Sequence, residues 1–343
     1  MNTWVNTMSK SIIFYPDYSG GNPYQKLLYK PATDVGYDVI SGTISDALKL
    51  PYDLSRAIFH IHWLNAVFSM CESAKVAWNA AGELIDGIAL FQAKGGKVIW
   101  TIHNHLPHEN LFPEQDLRLR HFLCASADRI HLHCGSHVNE LSYLPLDIGK
   151  VFVYRHGSYS DYYGKFSLKD RFERFDINQP KAVFIGSLRR YKNIDQLLFI
   201  ASELIRNGVD VTIAGKPENE KLRNRMESQC NALGINHTLR RLTDAEIHEL
   251  CMRSDIGILS YDRILTSGTL KLYFSYGMQI LAPELSTIVA EDRFNSFVYY
   301  SSSDDTIDFE YQKLKLNEYH QCFQYSYYIA QESRWCPGLF EFN

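Results

Sequence analysis

The chain has 343 residues, 45% of them apolar and 22% charged, with a formal net charge of −4. That length exceeds one ordinary core and suits two domains of a soluble globular protein. The acidic balance excludes a general nucleic-acid binder, which carries a basic excess; the seven cysteines, odd in number and without a C-x-x-C pair, exclude a disulfide framework or zinc cage and suit reduced thiols in a cytosolic protein.

In chain order, short apolar runs alternate with helical periodicity. Strands are predicted at 11–15, 38–40, 58–63, 97–102, 129–133 and 151–154, with helices at 74–92 and 117–127. The polar, charged stretch 164–180 reads as a connection between domains. The alternation then restarts: strands at 182–185, 209–214, 237–240, 256–260 and 279–282, helices at 194–205, 218–233, 243–253 and 269–276. Strand–helix alternation predicts parallel sheets flanked by helices, here twice in tandem with a cleft between the halves. A last helix is predicted at 311–335, stopped by Pro337 and Gly338. No apolar run approaches the roughly 20 residues of a membrane span, and the first apolar run reads as a strand, not a signal peptide.

The most informative stretch is Phe184–Asn193, Phe-Ile-Gly-Ser-Leu-Arg-Arg-Tyr-Lys-Asn. A strand ends in Gly186, cations follow, and an amphipathic helix begins. Cations and free backbone N–H groups at the carboxyl edge of a sheet are where anionic ligands bind in open α/β folds. Arg189 and Lys192 are the candidate diphosphate ligands. Thr266, Ser267, Gly268 and Thr269 open a later helix; they cap it, or their N–H groups cradle a phosphate. Lys216, after the strand ending at Ala214 and Gly215, is a further phosphate or base contact, or part of a plain helix start.

In the first half, Trp100–Glu109 brings a strand into three histidines and a glutamate (His103, His105, His108, Glu109). Polar groups massed where a strand leaves its sheet suggest a site. A metal reading is disfavoured because the spacing is not H-E-x-x-H and Pro107 interrupts it. His108 and Glu109 are the candidate catalytic residues, able to act as a base. His60 and His62 share one strand face, either bordering the cleft or as hydrogen-bonded core histidines. Gly20 and Gly21 form a ligand-approaching loop or a simple turn. His156, in Arg155–Tyr159, lies at the expected hinge and is a candidate to reach across the cleft.

Three segments together, TIHNHLPHE, FIGSLRRYKN and TSGTLKLYFSYGMQILAP, with RHGSY between the first two, carry a family resemblance. The chain resembles bacterial GT-B glycosyltransferases, near the family 4 type and related polysaccharide mannosyltransferase groups. The resemblance implies two Rossmann-like domains facing a cleft. Residues 1–164 would hold the acceptor, 165–306 the nucleotide-sugar, and 307–343 would cross back to brace the first domain. It implies transfer of a hexose of mannose or glucose type from a nucleoside-diphosphate sugar to a glycan or lipid-linked glycan, in surface polysaccharide synthesis. Gly186, Arg189, Lys192, Lys216 and Thr266–Thr269 would hold the donor, Arg189 and Lys192 also stabilising the departing diphosphate. Gly20, Gly21, His103 and His156 would face the acceptor. No cofactor or metal is expected, and the expected place is the cytoplasm or the inner membrane face. One departure bears on mechanism. Retaining members carry Glu-x7-Glu near the phosphate turn, whereas here Asp262 is the one carboxylate of 260–277 and Leu270 stands eight residues on. An inverting displacement would draw a base from Glu109, His108 or Asp17. Alternatives on the same scaffold are a non-hydrolysing nucleotide-sugar 2-epimerase and a non-catalytic donor-binding subunit.

Overall fold

The computed structural model describes residues 10–105, 111–159, 162–174, 176, 178–292, 297–300 and 337–342. The chain divides into two compact units, Met1–Arg155 with Trp335–Asn343, and His156–Arg334.

The first unit holds β1 (Lys10–Tyr15), α1 (Tyr24–Asp34), β2 (Tyr37–Ser41), α2 (Ile44–Leu48), β3 (Ala57–Ile61), α3 (Ala74–Ala93), β4 (Lys97–Thr101), α4 (Pro113–Ser126), β5 (Arg129–Leu132), α5 (His137–Glu140) and β6 (Val151–Val153). The strands pair in parallel in the order β2-β1-β3-β4-β5-β6. All five residues of β3 are buried, as expected of a central parallel strand covered on both faces. α3 turns Ala77, Ala81, Leu84, Ile88 and Phe91 inward, a stripe at helical spacing, and Ser73 caps its start. Residues 337–342 return to this unit. Leu339 and Phe340 are fully buried among Phe14, Leu28, Tyr29 and Ile58, and Arg129 donates to the carbonyls of Gly338 and Leu339 at 2.9 and 2.8 Å.

The second unit holds α6 (Leu168–Glu173), β7 (Lys181–Ile185), α7 (Ile194–Arg206), β8 (Asp210–Ala214), α8 (Glu220–Leu233), β9 (Asn236–Thr238), α9 (Asp244–Arg253), β10 (Ile256–Ile258), α10 (Gly268–Ser275), β11 (Gln279–Pro283), α11 (Ser286–Val289) and β12 (Phe297–Tyr300). Its sheet is also parallel, ordered β12-β11-β10-β7-β8-β9. α7 presses Leu197, Leu198, Ala201 and Leu204 onto Phe184, Val211, Ile213 and Ile256. Both sheets fit the α/β class expected from the alternation.

Several elements differ from the sequence reading. α1, α6 and β12 were not expected. α1 contains Pro31, which disguises its helical pattern. The stretch 164–180 is no free connection: Arg171 is buried, donates to the carbonyls of Met252 and Ser254, and pairs with Asp255 at 3.5 Å. The division falls at Arg155/His156 and not at 164/165, because Ser158 and Tyr159 bond Ser275 of α10. The helix expected at 311–335 lies outside the described residues.

Candidate functional site

In doubly wound sheets, ligands sit at the carboxyl strand ends where the strand order reverses. In the second unit that point lies between β7 and β10. β7 ends in Gly186, whose φ of +149° suits glycine. Beside it, a Cβ on Gly215 would stand 1.7 Å from the Gly186 carbonyl oxygen, so two bare backbones are packed together there. The loops continue zipped, Leu188 N donating to Lys216 O at 2.9 Å and Glu218 N to Leu188 O at 3.0 Å.

The chain then turns so that Lys192 goes inward. Lys192 is 5% exposed, with Nζ 5.3 Å from the centroids of both Phe184 and Tyr261. The ammonium occupies the space beside Gly186, 2.6 Å from where a Cβ would be; Thr269 Oγ1 lies 3.7 Å from that same point. No carboxylate pairs with Lys192 among the described residues. A buried cation without a counter-ion is costly, and an anionic ligand would relieve that cost. The loop holding it is pinned by Ser260 Oγ donating to Lys192 O at 2.6 Å and by Asn193 Nδ2 donating to Asp262 at 2.5 Å.

α10 begins beside this ammonium. The Ser267 hydroxyl caps it, accepting from Leu270 N at 3.0 Å, and also bonds Tyr261 Oη at 3.1 Å. Thr269 Oγ1 reaches Ile185 O at 3.4 Å. The N–H groups of Gly268 and Thr269 have no acceptor among the described residues, and they carry the positive end of the helix dipole. Thus Gly186, Lys192 and Thr269 lie together, with Gly268 next in the chain and Ser267 in the cap; Thr266 is half-buried. Arg189 and Lys216 are exposed and have no carboxylate partner among the described residues.

His156 is the first residue of the second unit. It is buried, bonded through Nδ1 to Gly157 O at 2.8 Å and through Nε2 to Tyr159 Oη at 3.1 Å. That hydroxyl sits 3.1 Å from where a Cβ on Gly268 would be, so His156 supports the α10 start through Tyr159.

The strand order of the first unit reverses between β1 and β3. One strand over, between the carboxyl ends of β3 and β4, a cavity is lined by His62, Trp63, Asn65, His103, Asn104 and Arg120 among others. Trp63 stacks on His103 at 4.1 Å, and Tyr18 lies 5.2 Å from Trp63. Arg120 is buried, donates Nε to Asp116 at 2.6 Å and Nη1 to Asn104 O at 3.3 Å, and so holds the loop after β4. Burial raises the Asp116 carboxyl, with Arg120 opposing.

Behind the cavity runs a hydrogen-bonded chain. His103 Nε2 meets His62 Nδ1 at 3.0 Å; His62 Nε2 meets Tyr29 Oη at 2.6 Å; Tyr29 Oη meets His60 Nδ1 at 2.9 Å. His60 Nε2 meets Thr101 Oγ1 at 2.7 Å, Thr101 meets His131 Nδ1 at 2.9 Å, and His131 Nε2 meets Tyr154 O at 2.8 Å. Tyr24 Oη and His133 Nε2 form a side branch at 3.3 Å. Burial pushes the imidazoles of His60 and His62 well down, and His131 to about 4, so all three are neutral at pH 7. No group of three described His, Cys, Asp or Glu side chains is arranged to hold a metal ion.

His60 and His62 are therefore hydrogen-bonded core histidines, and His62 and His103 also line the cavity. His105 approaches Glu140 at 4.0 Å, and its carbonyl accepts from Tyr143. Gly20 and Gly21 form an exposed turn, Gly21 N donating to Tyr18 O, with open space around Gly20. The Ser19 hydroxyl and then the Ser19 N–H, which donates to Asp17 Oδ1 at 2.9 Å, lower the Asp17 carboxyl. His108 and Glu109 lie outside the described residues. Sequence reasoning missed His131, His133, Trp63, Tyr24, Tyr29, Arg120 and Tyr159. The repeated His-x-His of β3 and of the β5 end was the signal available for two of them.

No family model matches the chain. It is similar over nearly its whole length to solved structures: a glycosyltransferase from Rickettsia africae ESF-5 (TM-score 0.64, 12% identity, 97% of this chain and 96% of that one), and Anabaena Alr3699/HepE in complex with UDP and glucose (TM-score 0.60, 13% identity, 95% of each). The chain thus shares the fold of these solved structures, two parallel α/β units in tandem, as its motifs implied. In sequence it is 23% identical over 275 residues, 79% of this chain and 73% of the relative, to the GDP-mannose:glycolipid 4-beta-D-mannosyltransferase of Xanthomonas campestris pv. campestris.

Proposed function

We propose that this glycosyltransferase moves a mannose-type hexose from GDP-mannose to a hydroxyl of a glycolipid or lipid-linked glycan, in surface polysaccharide synthesis. The observation that carries the reading is Lys192, a buried ammonium at the β7/β10 reversal point that has no counter-ion among the described residues, beside two N–H groups of α10 that have no acceptor among them. The Xanthomonas relative supports the GDP-mannose donor and glycolipid acceptor; the UDP in Alr3699/HepE makes UDP the competing nucleotide. An acceptor of that kind would be met at the inner membrane face; among the described residues no helix is long and apolar enough to cross a membrane.

In this reading Lys192, Arg189 and the N–H groups of Gly268 and Thr269 bind the diphosphate and stabilise the charge that develops as it leaves. Lys216 adds a cation at the rim. These groups supply the positive charge a divalent ion would otherwise bring, so no metal is required. Leu270, where the second carboxylate of a retaining site would stand, is a core residue, and the Asp262 carboxylate is engaged by Asn193. Both support inversion. A β-linkage made from an α-linked sugar diphosphate is the inverted product.

The test incubates the protein with GDP-mannose or UDP-glucose and an alkyl glycoside, and reads nucleotide release and the anomeric proton of the product. A β-linked mannoside formed from GDP-mannose alone of the two donors is expected. Isomerisation of the donor sugar without acceptor, or nucleotide binding without turnover, contradicts the reading.

A further inference from the structure

Two side chains of α10 fasten it to the strand that carries Gly186. Thr269 and Tyr273 stand four residues apart on one face of the helix, and both take hold of Ile185, the last residue of β7. Thr269 Oγ1 reaches the Ile185 carbonyl at 3.4 Å, and the Ile185 N–H donates to Tyr273 Oη at 2.9 Å. The next residue is Gly186, against which the Lys192 ammonium lies. The β7/β10 ladder pairs Ala182 with Ile256 and Val183 with Gly257. Beyond it the Tyr273 hydroxyl bridges the two strands, donating to Val183 O at 3.2 Å with Ile258 O at 3.5 Å. Its ring is fully buried and passes over Gly257, where a Cβ would stand 2.2 Å from Tyr273 Cδ2. A second set of contacts holds the same helix. Ser275 Oγ donates to Lys271 O at 2.6 Å and accepts from Tyr159 N at 2.8 Å and Ser158 Oγ at 3.1 Å. Tyr159 Oη lies 3.1 Å from where a Cβ on Gly268 would be, and it is tied there to His156 Nε2.

We propose that Tyr273 is the positioning residue of the diphosphate site: its hydroxyl, set between β7 and β10, fixes the first turn of α10 against Gly186 and Lys192, and Tyr159 is the stop on which Gly268 rests. It rests on the glycosyltransfer reading of that site. Backbone N–H groups stabilise an anion only at hydrogen-bond distance, and a misplacement of about 1 Å can cost on the order of 10²-fold. A phenylalanine would fill the same space in the sheet, so packing alone does not call for the hydroxyl. What the hydroxyl adds is a bond to one particular amide, that of Ile185, which would otherwise be buried without this acceptor. That bond ties the position of the helix to the residue preceding Gly186. Gly268 is small for a related reason, because a methyl there would press on a hydroxyl held from behind by an imidazole. Tyr273 and Tyr159 both act through α10, and neither is assigned a contact with the diphosphate.

Calorimetric titration of GDP and of guanosine into the full-length protein tests this. Tyr273→Phe should weaken GDP binding roughly tenfold and leave guanosine binding as in wild type, because only the diphosphate meets the first turn of α10. A general loss of structure would lower both ligands alike and overturns the positioning role. Gly268→Ala should weaken GDP binding in the same way, since its methyl meets Tyr159 Oη. Adding Tyr159→Phe to Gly268→Ala should then restore most of the loss, because the hydroxyl that the methyl presses on is gone and contacting residues couple. GDP affinity within about twofold of wild type in Tyr273→Phe, or a double variant that binds no better than Gly268→Ala, overturns the proposal. If Tyr273→Phe does not fold, the Gly268 and Tyr159 pair decides. Wild-type protein that binds neither GDP nor UDP is instead a failure of the glycosyltransfer reading. In that event 1H–15N spectra of the labelled protein still decide the positioning: Tyr273→Phe should displace the amide signals of Gly186 and Thr269, and unmoved signals at both overturn it.

Discussion

Lys192 and Gly186 act as a pair. The ammonium fits because position 186 has no side chain, and the +149° φ there suits no other residue. Lys192→Met keeps the apolar stem between Phe184 and Tyr261 and removes the charge. It should fold, and should weaken GDP binding by about 2 kcal/mol, roughly 30-fold, the scale of a charge-assisted hydrogen bond. Gly186→Ala should act on the same readout, because its methyl would stand 2.6 Å from Nζ and displace it. Gly215→Ala should behave differently: its methyl would meet a backbone oxygen, so expression or melting temperature should drop. Equal donor affinity in Gly186→Ala and wild type would show that the ammonium does not work from this position.

At the scale of elements, the strand ends of the first unit carry a pH signature. His60, His62 and His131 stay neutral in the fold, with values far below those of an unfolded chain near 6.5. Above pH 6.5 both states are neutral and the groups contribute nothing. As pH falls below 6.5 the unfolded chain takes up protons that the fold refuses, so stability is lost. The loss is at most about 1.4 kcal/mol per pH unit per histidine, continuing to about pH 4 for His131. The urea midpoint should drop steeply from pH 6.5 to pH 5; a flat midpoint would contradict the buried neutral chain. The returning segment 337–342 makes a separate demand. Phe340 packs on Tyr29 and His60 at 5.6 and 5.7 Å, so Phe340→Ala should cost about 3 to 5 kcal/mol by denaturant titration.

These elements also show what sequence conveys. Buried parallel strands such as β3 and β7 were legible because an unbroken apolar run has few other uses. α1 was not, since Pro31 breaks its pattern, and with it went Tyr24 and Tyr29, whose letters read as ordinary core. That a cation follows β7 was legible; the inward turn of Lys192 was not, because it depends on the left-handed Asn193 and on Ser260 from a distant strand. His131 and His133 looked bland singly, and their meaning comes from lying beside His60 and His103 across the sheet.

At the scale of the whole molecule, two parallel sheets each reverse their strand order, and the buried polar groups at their strand ends differ: a cation in the second unit, neutral imidazoles in the first. If, as proposed, positive charge at the diphosphate comes from side chains and a helix end, transfer should persist in excess EDTA; loss of transfer restored by a divalent ion would contradict that proposal. The most direct measurement is calorimetric titration of GDP and of guanosine into wild type and Lys192→Met. GDP should bind wild type far more tightly than guanosine does, and the substitution should remove most of that difference while leaving guanosine unaffected. Indistinguishable GDP affinity in the two proteins would contradict the diphosphate site at Lys192.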